Sequence, residues 1–113
     1  MIRKAFVMTV HAGSEQEYER RHNPISSDLE RVLKAHGVSS YSIFLHPQTH
    51  QLFAYVEVED ESQWLSIAAT PECHRWWQFM TDLMPHHPDG SPLAADLKEV
   101  FHLDSPQPAI DLR

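Results

Sequence analysis

Tyr18 and His22 stand four residues apart, which places a phenol and an imidazole on one side of a helix, within reach of the same small ligand. Imidazole gives or takes a proton near neutrality at its ordinary pKa. A phenol beside it can orient the ring or bond a ligand hydroxyl. The pair suits general acid–base chemistry, and the competing reading is a histidine that fills a helix–sheet seam with both ring nitrogens satisfied. Trp76 and Trp77 are adjacent, so on a helix their side chains diverge by roughly 100° and cannot share one face. One can be core while the other lines a cleft, where a flat ring suits the C–H face of a sugar. Tyr41 lies in an alternating stretch, where its ring can pack while its hydroxyl reaches a ligand.

Other chemistries find less support. Nine histidines invite a metal, but His46 and His50 flank a turn and His86 and His87 sit in a proline-rich stretch, with no spaced carboxylate or thiolate partners. Cys73 is the single cysteine, which excludes an intramolecular disulfide and suits a small buried apolar group. No phosphate-binding glycine loop, G-x-S-x-G elbow or C-x-x-C occurs, so nucleotide cofactors and acyl transfer lack a motif. A formal net charge of −7 argues against nucleic acid or an anionic membrane as partner, because both need a concentrated basic patch. The apolar stretch after Arg3 and Lys4 is too short and interrupted for a signal peptide or a spanning helix, which implies a cytoplasmic protein.

The elements that must position these residues are legible in the spacing. A chain of 113 residues, 42% hydrophobic and 22% charged, fits one domain with one core. Ile2 to Val10 reads as a strand with Ile2, Phe6, Met8 and Val10 on one face. Ser14 and Glu17 form a capping-box pattern that opens a helix. Tyr18, His22, Ile25, Leu29, Val32 and Leu33 then follow as one apolar stripe. Pro24 breaks the register and implies a kink or restart near His22 and Asn23, and Gly37 supplies the left-handed stop. Alternation over 38–46 and 51–59 predicts a hairpin across Pro47 to His50. Glu61 to Ala69 reads as a short helix, and Thr70-Pro71-Glu72 restarts a second that runs to about Met84. Leu97, Glu99, Phe101 and Leu103 alternate as a last strand within 93–103.

The order is βαββαβ, an α+β ferredoxin-like arrangement with an antiparallel sheet carrying its helices on one face. Ala5 and Val7, and Phe53 and Tyr55, fall on the opposite face. Leaving them in water would expose a sizeable apolar patch, so a homodimer joined through sheet faces or edges is expected.

The segments 17–25 (Glu-Tyr-Glu-Arg-Arg-His-Asn-Pro-Ile), 75–82 (Arg-Trp-Trp-Gln-Phe-Met-Thr-Asp) and 99–101 (Glu-Val-Phe), with the opening 2–8, together resemble the L-rhamnose mutarotase family. The likeness runs from Ile2 to Leu103 in the same order and with similar spacing. It implies a dimeric ferredoxin-like α/β barrel, no cofactor, and a monosaccharide site in which His22 is the proton donor. Tyr18 and Tyr41 would contact substrate, and Trp76 and Trp77 would line the pocket. Ser26 and Ser27 stand where the family pattern has Trp-Pro, a departure that bears on pocket width, the second helix start and sugar identity. The stretch 104–113, with Pro106 and Pro108, extends past the pattern as a tail beyond a single 1–103 domain.

Mutarotation opens a hemiacetal ring and recloses it on the other carbonyl face. It needs a proton delivered to the ring oxygen and one removed from the anomeric hydroxyl. His22 is expected to be the acid of the opening step, with carbonyls at a helix end favouring its protonated form. A water, a carboxylate or a tyrosine would be the base. Two readings of other classes stand beside this one: a small dimeric α/β-barrel oxygenase of the haem-degrading type, and a ligand-binding module without catalysis.

Overall fold

The computed structural model describes residues 1–104. Its elements are β1 (Ile2–Thr9), α1 (Glu15–Arg21), α2 (Ser27–Ala35), β2 (Val38–His46), β3 (Gln51–Val58), α3 (Glu61–Ser66), α4 (Pro71–Met80) and β4 (Ala95–Leu97), with one 3₁₀ turn at Ile67–Ala69. The sheet runs β2-β3-β1-β4 and is antiparallel throughout. This is the ferredoxin-like arrangement. The described part of the chain contains no helix long and apolar enough to cross a membrane.

Register decides which side chains meet the helices. β1 pairs with β3 so that Phe6 faces Ala54 and Met8 faces Leu52, and β2 sets Tyr41 opposite Val56 and Ile43 opposite Ala54. These residues share the covered face, where Met8, Val10, Leu52 and Ala54 pack with Tyr18 of α1 and Met80, Leu83 and Met84. The opposite face has no helix. Its rows read Phe44–Phe53–Val7–Ala95 and Ser42–Tyr55–Ala5–Leu97. Phe44 stays 65% exposed there, as an aromatic ring on an uncovered sheet must.

The helical stripe divides at Pro24. α1 ends at Arg21, and His22 and Asn23 return their N–H groups to Glu19 and Arg20. Acidic residues in the first turn of α1 and basic ones in the last suit the helix dipole. The Ser14–Glu17 capping box does not form: the Ser14 side chain caps nothing, and the Glu17 carboxylate is taken by Arg20 and Arg21. Charged partners on the same helix outcompete a neutral backbone N–H for the carboxylate. The serine pair after Ile25 builds the start of α2, with Ser26 accepting from the Leu29 N–H. Gly37 follows α2 at φ +83°.

Two boundaries differ from the sequence reading. The helix expected to reach Met84 ends at Met80. Leu83 and Met84 are nonetheless buried in a turn, and the Leu83 carbonyl accepts from His11 N–H at 2.7 Å. The strand expected within 93–103 is three residues long, pairing Ala5–Val7 with Ala95–Leu97. Carried onward, that register sets Glu99 beside Arg3, where the two form an ion pair with nitrogen–oxygen distances of 2.8 and 3.0 Å. It then runs out of β1 at Phe101, which with Leu103 is 78% exposed. Of the 104–113 tail only Asp104 belongs to the described residues.

Candidate active site

α1, α2, the covered face of the sheet, α3 and α4 line a cavity of about 990 Å³. Tyr18, His22, Tyr41, Trp76 and Trp77 all line it. The structure therefore brings together every residue singled out from the sequence.

His22 sits at the end of α1, with its ring 4.4 Å from that of Tyr18 and 5.1 Å, edge-on, from that of Trp76. Its Nδ1 lies 2.7 Å from the Tyr18 carbonyl. A carbonyl only accepts, so Nδ1 carries the hydrogen and Nε2 is left with the lone pair of the neutral ring. Burial pushes the His22 pKa below its ordinary value, and the Tyr18 carbonyl opposes this with a smaller upward pull. The helix-end carbonyl thus acts in the expected direction, but desolvation outweighs it. His22 rests neutral near pH 7.

The two tyrosines present hydroxyls that find no protein partner among the described residues. Tyr18 is 8% exposed, and burial holds its phenol well above the ordinary value. Tyr41 lines the same cavity and is 37% exposed. Burial of its phenol comes first in pushing that pKa up as well, and the nearby Tyr18 phenol adds to it. Both hydroxyls stay protonated and can donate to a ligand. Cys73 also borders the cavity, but burial raises its thiol to about 11, which keeps it out of nucleophilic chemistry.

Arg21, beside His22, locks α1 to α4. Its guanidinium donates to Glu17 at 2.8 Å, to Asp82 at 2.9 and 3.0 Å and to the Phe79 carbonyl at 2.6 Å, and it lies 4.3 Å from the centre of the Phe79 ring. That fork geometry is one lysine cannot supply. Arg20 and then Arg21 hold the Glu17 carboxylate at about 2.

Sequence reasoning missed Trp64 and Phe6, which also line the cavity. Trp64 sits on the six-residue α3 and belongs to no periodic stripe, yet a signal existed: the chain has three tryptophans, and all three line this one cavity. Ser26 borders a smaller cleft behind Trp76 rather than the main cavity. The departure from the family pattern expected at Ser26 thus falls at the α2 start and the back of Trp76. His46 contacts Thr49, His50 pairs with Glu15 and His86 turns to the His87 carbonyl. Among the described residues, no three or more His, Cys, Asp or Glu side chains come together as a metal site.

A family model described as L-rhamnose mutarotase matches residues 3–103. The L-rhamnose mutarotase of Opitutus terrae is 70% identical over 104 residues, covering 92% of this chain and 100% of the relative. The crystal structure of the L-rhamnose mutarotase of Formosa agariphila superposes with a TM-score of 0.84 at 38% identity, covering 92% of this chain and 100% of that one. A proposed antibiotic biosynthesis monooxygenase from Nitrosomonas europaea reaches a TM-score of 0.60 at 9% identity, over 88% of this chain and 89% of its own. At that identity the likeness is one of fold.

Proposed function

Because the chain belongs to the L-rhamnose mutarotase family, we propose that it interconverts the α and β anomers of L-rhamnose in the cavity beneath α1 and α4, with His22 as the group that moves the proton. The observation carrying this reading is the His22 hydrogen bond to the Tyr18 carbonyl. It fixes the tautomer and leaves Nε2 as a lone base inside an aromatic-lined site.

The chemistry follows from that lone pair. Nε2 takes the proton of the anomeric hydroxyl while the bond between C1 and the ring oxygen breaks. Negative charge develops on the ring oxygen, and the Tyr18 hydroxyl, kept protonated by burial, stabilises it by donating a hydrogen bond. The imidazolium then hands the same proton to the ring oxygen. His22 is thus base first and acid second, so the proton-donor role expected of it comes with the partner base supplied by the same ring. Rotation about C1–C2 presents the other carbonyl face, and the steps reverse to give the other anomer. No net proton is gained or lost, so the cycle needs no cofactor. Trp76 and Trp77 hold the apolar face of the sugar, and Tyr41 contacts its hydroxyls.

The same reading includes a homodimer. Val7, Phe44, Phe53 and Leu97 make a contiguous apolar surface on the uncovered face. A second copy presents the identical surface, as a two-fold interface requires. Val100, and Phe101 and Leu103 beyond the end of β1, are 86%, 78% and 78% exposed, and would find cover on that second copy. With a net charge of −7 and no spanning helix among the described residues, a cytoplasmic protein without nucleic-acid or membrane partners fits best.

The test is saturation-transfer NMR on L-rhamnose. Wild-type protein should speed exchange between anomeric protons, and His22→Ala should lower the rate by about 10²–10⁴-fold. Sugar binding without faster exchange by the wild type would make the protein a binding module. Unchanged exchange in His22→Ala would remove the imidazole from the chemistry.

A further inference from the structure

The aromatic side chains of the cavity fall into two groups. Tyr18, His22 and Trp76 form the proton-transfer end. Phe6, Tyr41 and Trp64 form the second, with ring centroids 6.1 to 6.4 Å apart for all three pairings. Tyr41 lines the same cavity as Tyr18, and its ring packs on Phe6 and Trp64.

Trp64 is held rather than draped there. The Asp60 side chain caps α3 by accepting from Gln63 N–H at 2.9 Å. Lys4 Nζ reaches both Glu61 oxygens at 2.9 Å, tying the first turn of α3 to the strand that carries Phe6. These contacts hold the helix that carries Trp64, and its ring lines the cavity beside that of Phe6, 6.3 Å away between centroids.

Substrate chemistry decides what meets these two rings. In a 6-deoxypyranose, C5 carries both the ring oxygen and the C6 methyl, so a ring oxygen placed at Tyr18 and His22 leaves the methyl one carbon away. Phe6 has no polar atom, and the flat face of an indole offers no partner to a hydroxyl. A methyl laid against those two rings loses water at a gain, whereas a C6 hydroxyl in the same place would give up water and find no partner on either ring. We propose that Trp64, backed by Phe6, is the specificity residue that selects a 6-deoxy sugar by covering its C6 methyl. This inference rests on the mutarotase reading and concerns sugar choice alone.

The test compares anomer exchange of L-rhamnose with that of L-mannose, its 6-hydroxy counterpart, in the wild type, Trp64→Gln and Trp64→Phe. The wild type should favour L-rhamnose by about 10–100-fold in kcat/KM. Trp64→Gln, which offers a hydroxyl its partners, should shrink that ratio about tenfold, with L-rhamnose losing more than L-mannose. Trp64→Phe keeps an apolar wall and should hold the ratio within about threefold. The proposal is overturned if the wild type treats both sugars alike, if Trp64→Gln slows both equally, or if Trp64→Phe shrinks the ratio as far as Trp64→Gln. Failure of the wild type to speed either sugar would instead overturn the mutarotase reading beneath it.

Discussion

Both faces of the sheet carry apolar side chains and put them to opposite uses. On one face Met8, Leu52, Ala54 and Val56 are at most 6% exposed beneath the chain's own helices. On the other, Val7, Phe53 and Tyr55 are half-buried by their neighbours alone and Phe44 lies open. Alternation along a strand states that both faces are apolar, but not which one the chain covers itself. Between the covered face and the helices lies the cavity lined by Phe6, Tyr18, Tyr41 and the three tryptophans. The open apolar side suits a second copy.

A charge placed on the open face should break the comparison most sharply. Phe53→Glu puts a carboxylate in the centre of the row between Phe44 and Val7, and size-exclusion chromatography with light scattering should turn from dimer to monomer. The dissociation constant should rise by about 30-fold or more, since a central interface aromatic commonly contributes about 2 kcal/mol or more. A wild-type monomer at micromolar concentration would remove the second copy from the account.

A smaller effect should come from the clamp on the covered side. Arg21→Leu breaks the contacts to Glu17, Asp82 and Phe79. Asp82 is largely solvated, with 64% of its side chain exposed, so the loss should be about 1–2 kcal/mol. A calorimetric melt should then fall by roughly 5–10 °C. The variant should also lose part of its acid sensitivity. Glu17 is held at about 2 against an ordinary 4.5, so its contribution is present above pH 4.5 and lost as pH falls toward 2. A melt unchanged by the substitution would show that α1 is anchored by its apolar contacts alone.

Much of this was legible in the residues. Alternation gave the hairpin and β1, Pro24 gave the break between α1 and α2, and Thr70-Pro71 gave the start of α4, because each is a local rule. What failed depended on distant partners. The Ser14–Glu17 pair matches a cap, but arginines one turn later claim the carboxylate. Phe101 and Leu103 alternate as a strand does, yet alternation says nothing of how many residues β1 offers as a partner. Tyr18, His22, Tyr41, Trp76 and Trp77, singled out by residue type and spacing, all line one cavity. The resting charge of His22 was not readable, because it depends on burial against Trp76, which arrives from a distant helix. Trp64 escaped notice because a six-residue helix shows no periodicity.

The pH profile of anomer exchange tests the central claim most directly. A buried His22 whose pKa lies below 6.5 must be neutral to take the anomeric proton, so enzyme-dependent exchange should rise with pH through a midpoint below 6.5 and level off above it. His22→Gln should abolish that limb. A rate that instead falls as pH rises through this range, or a midpoint that survives in His22→Gln, would contradict the account.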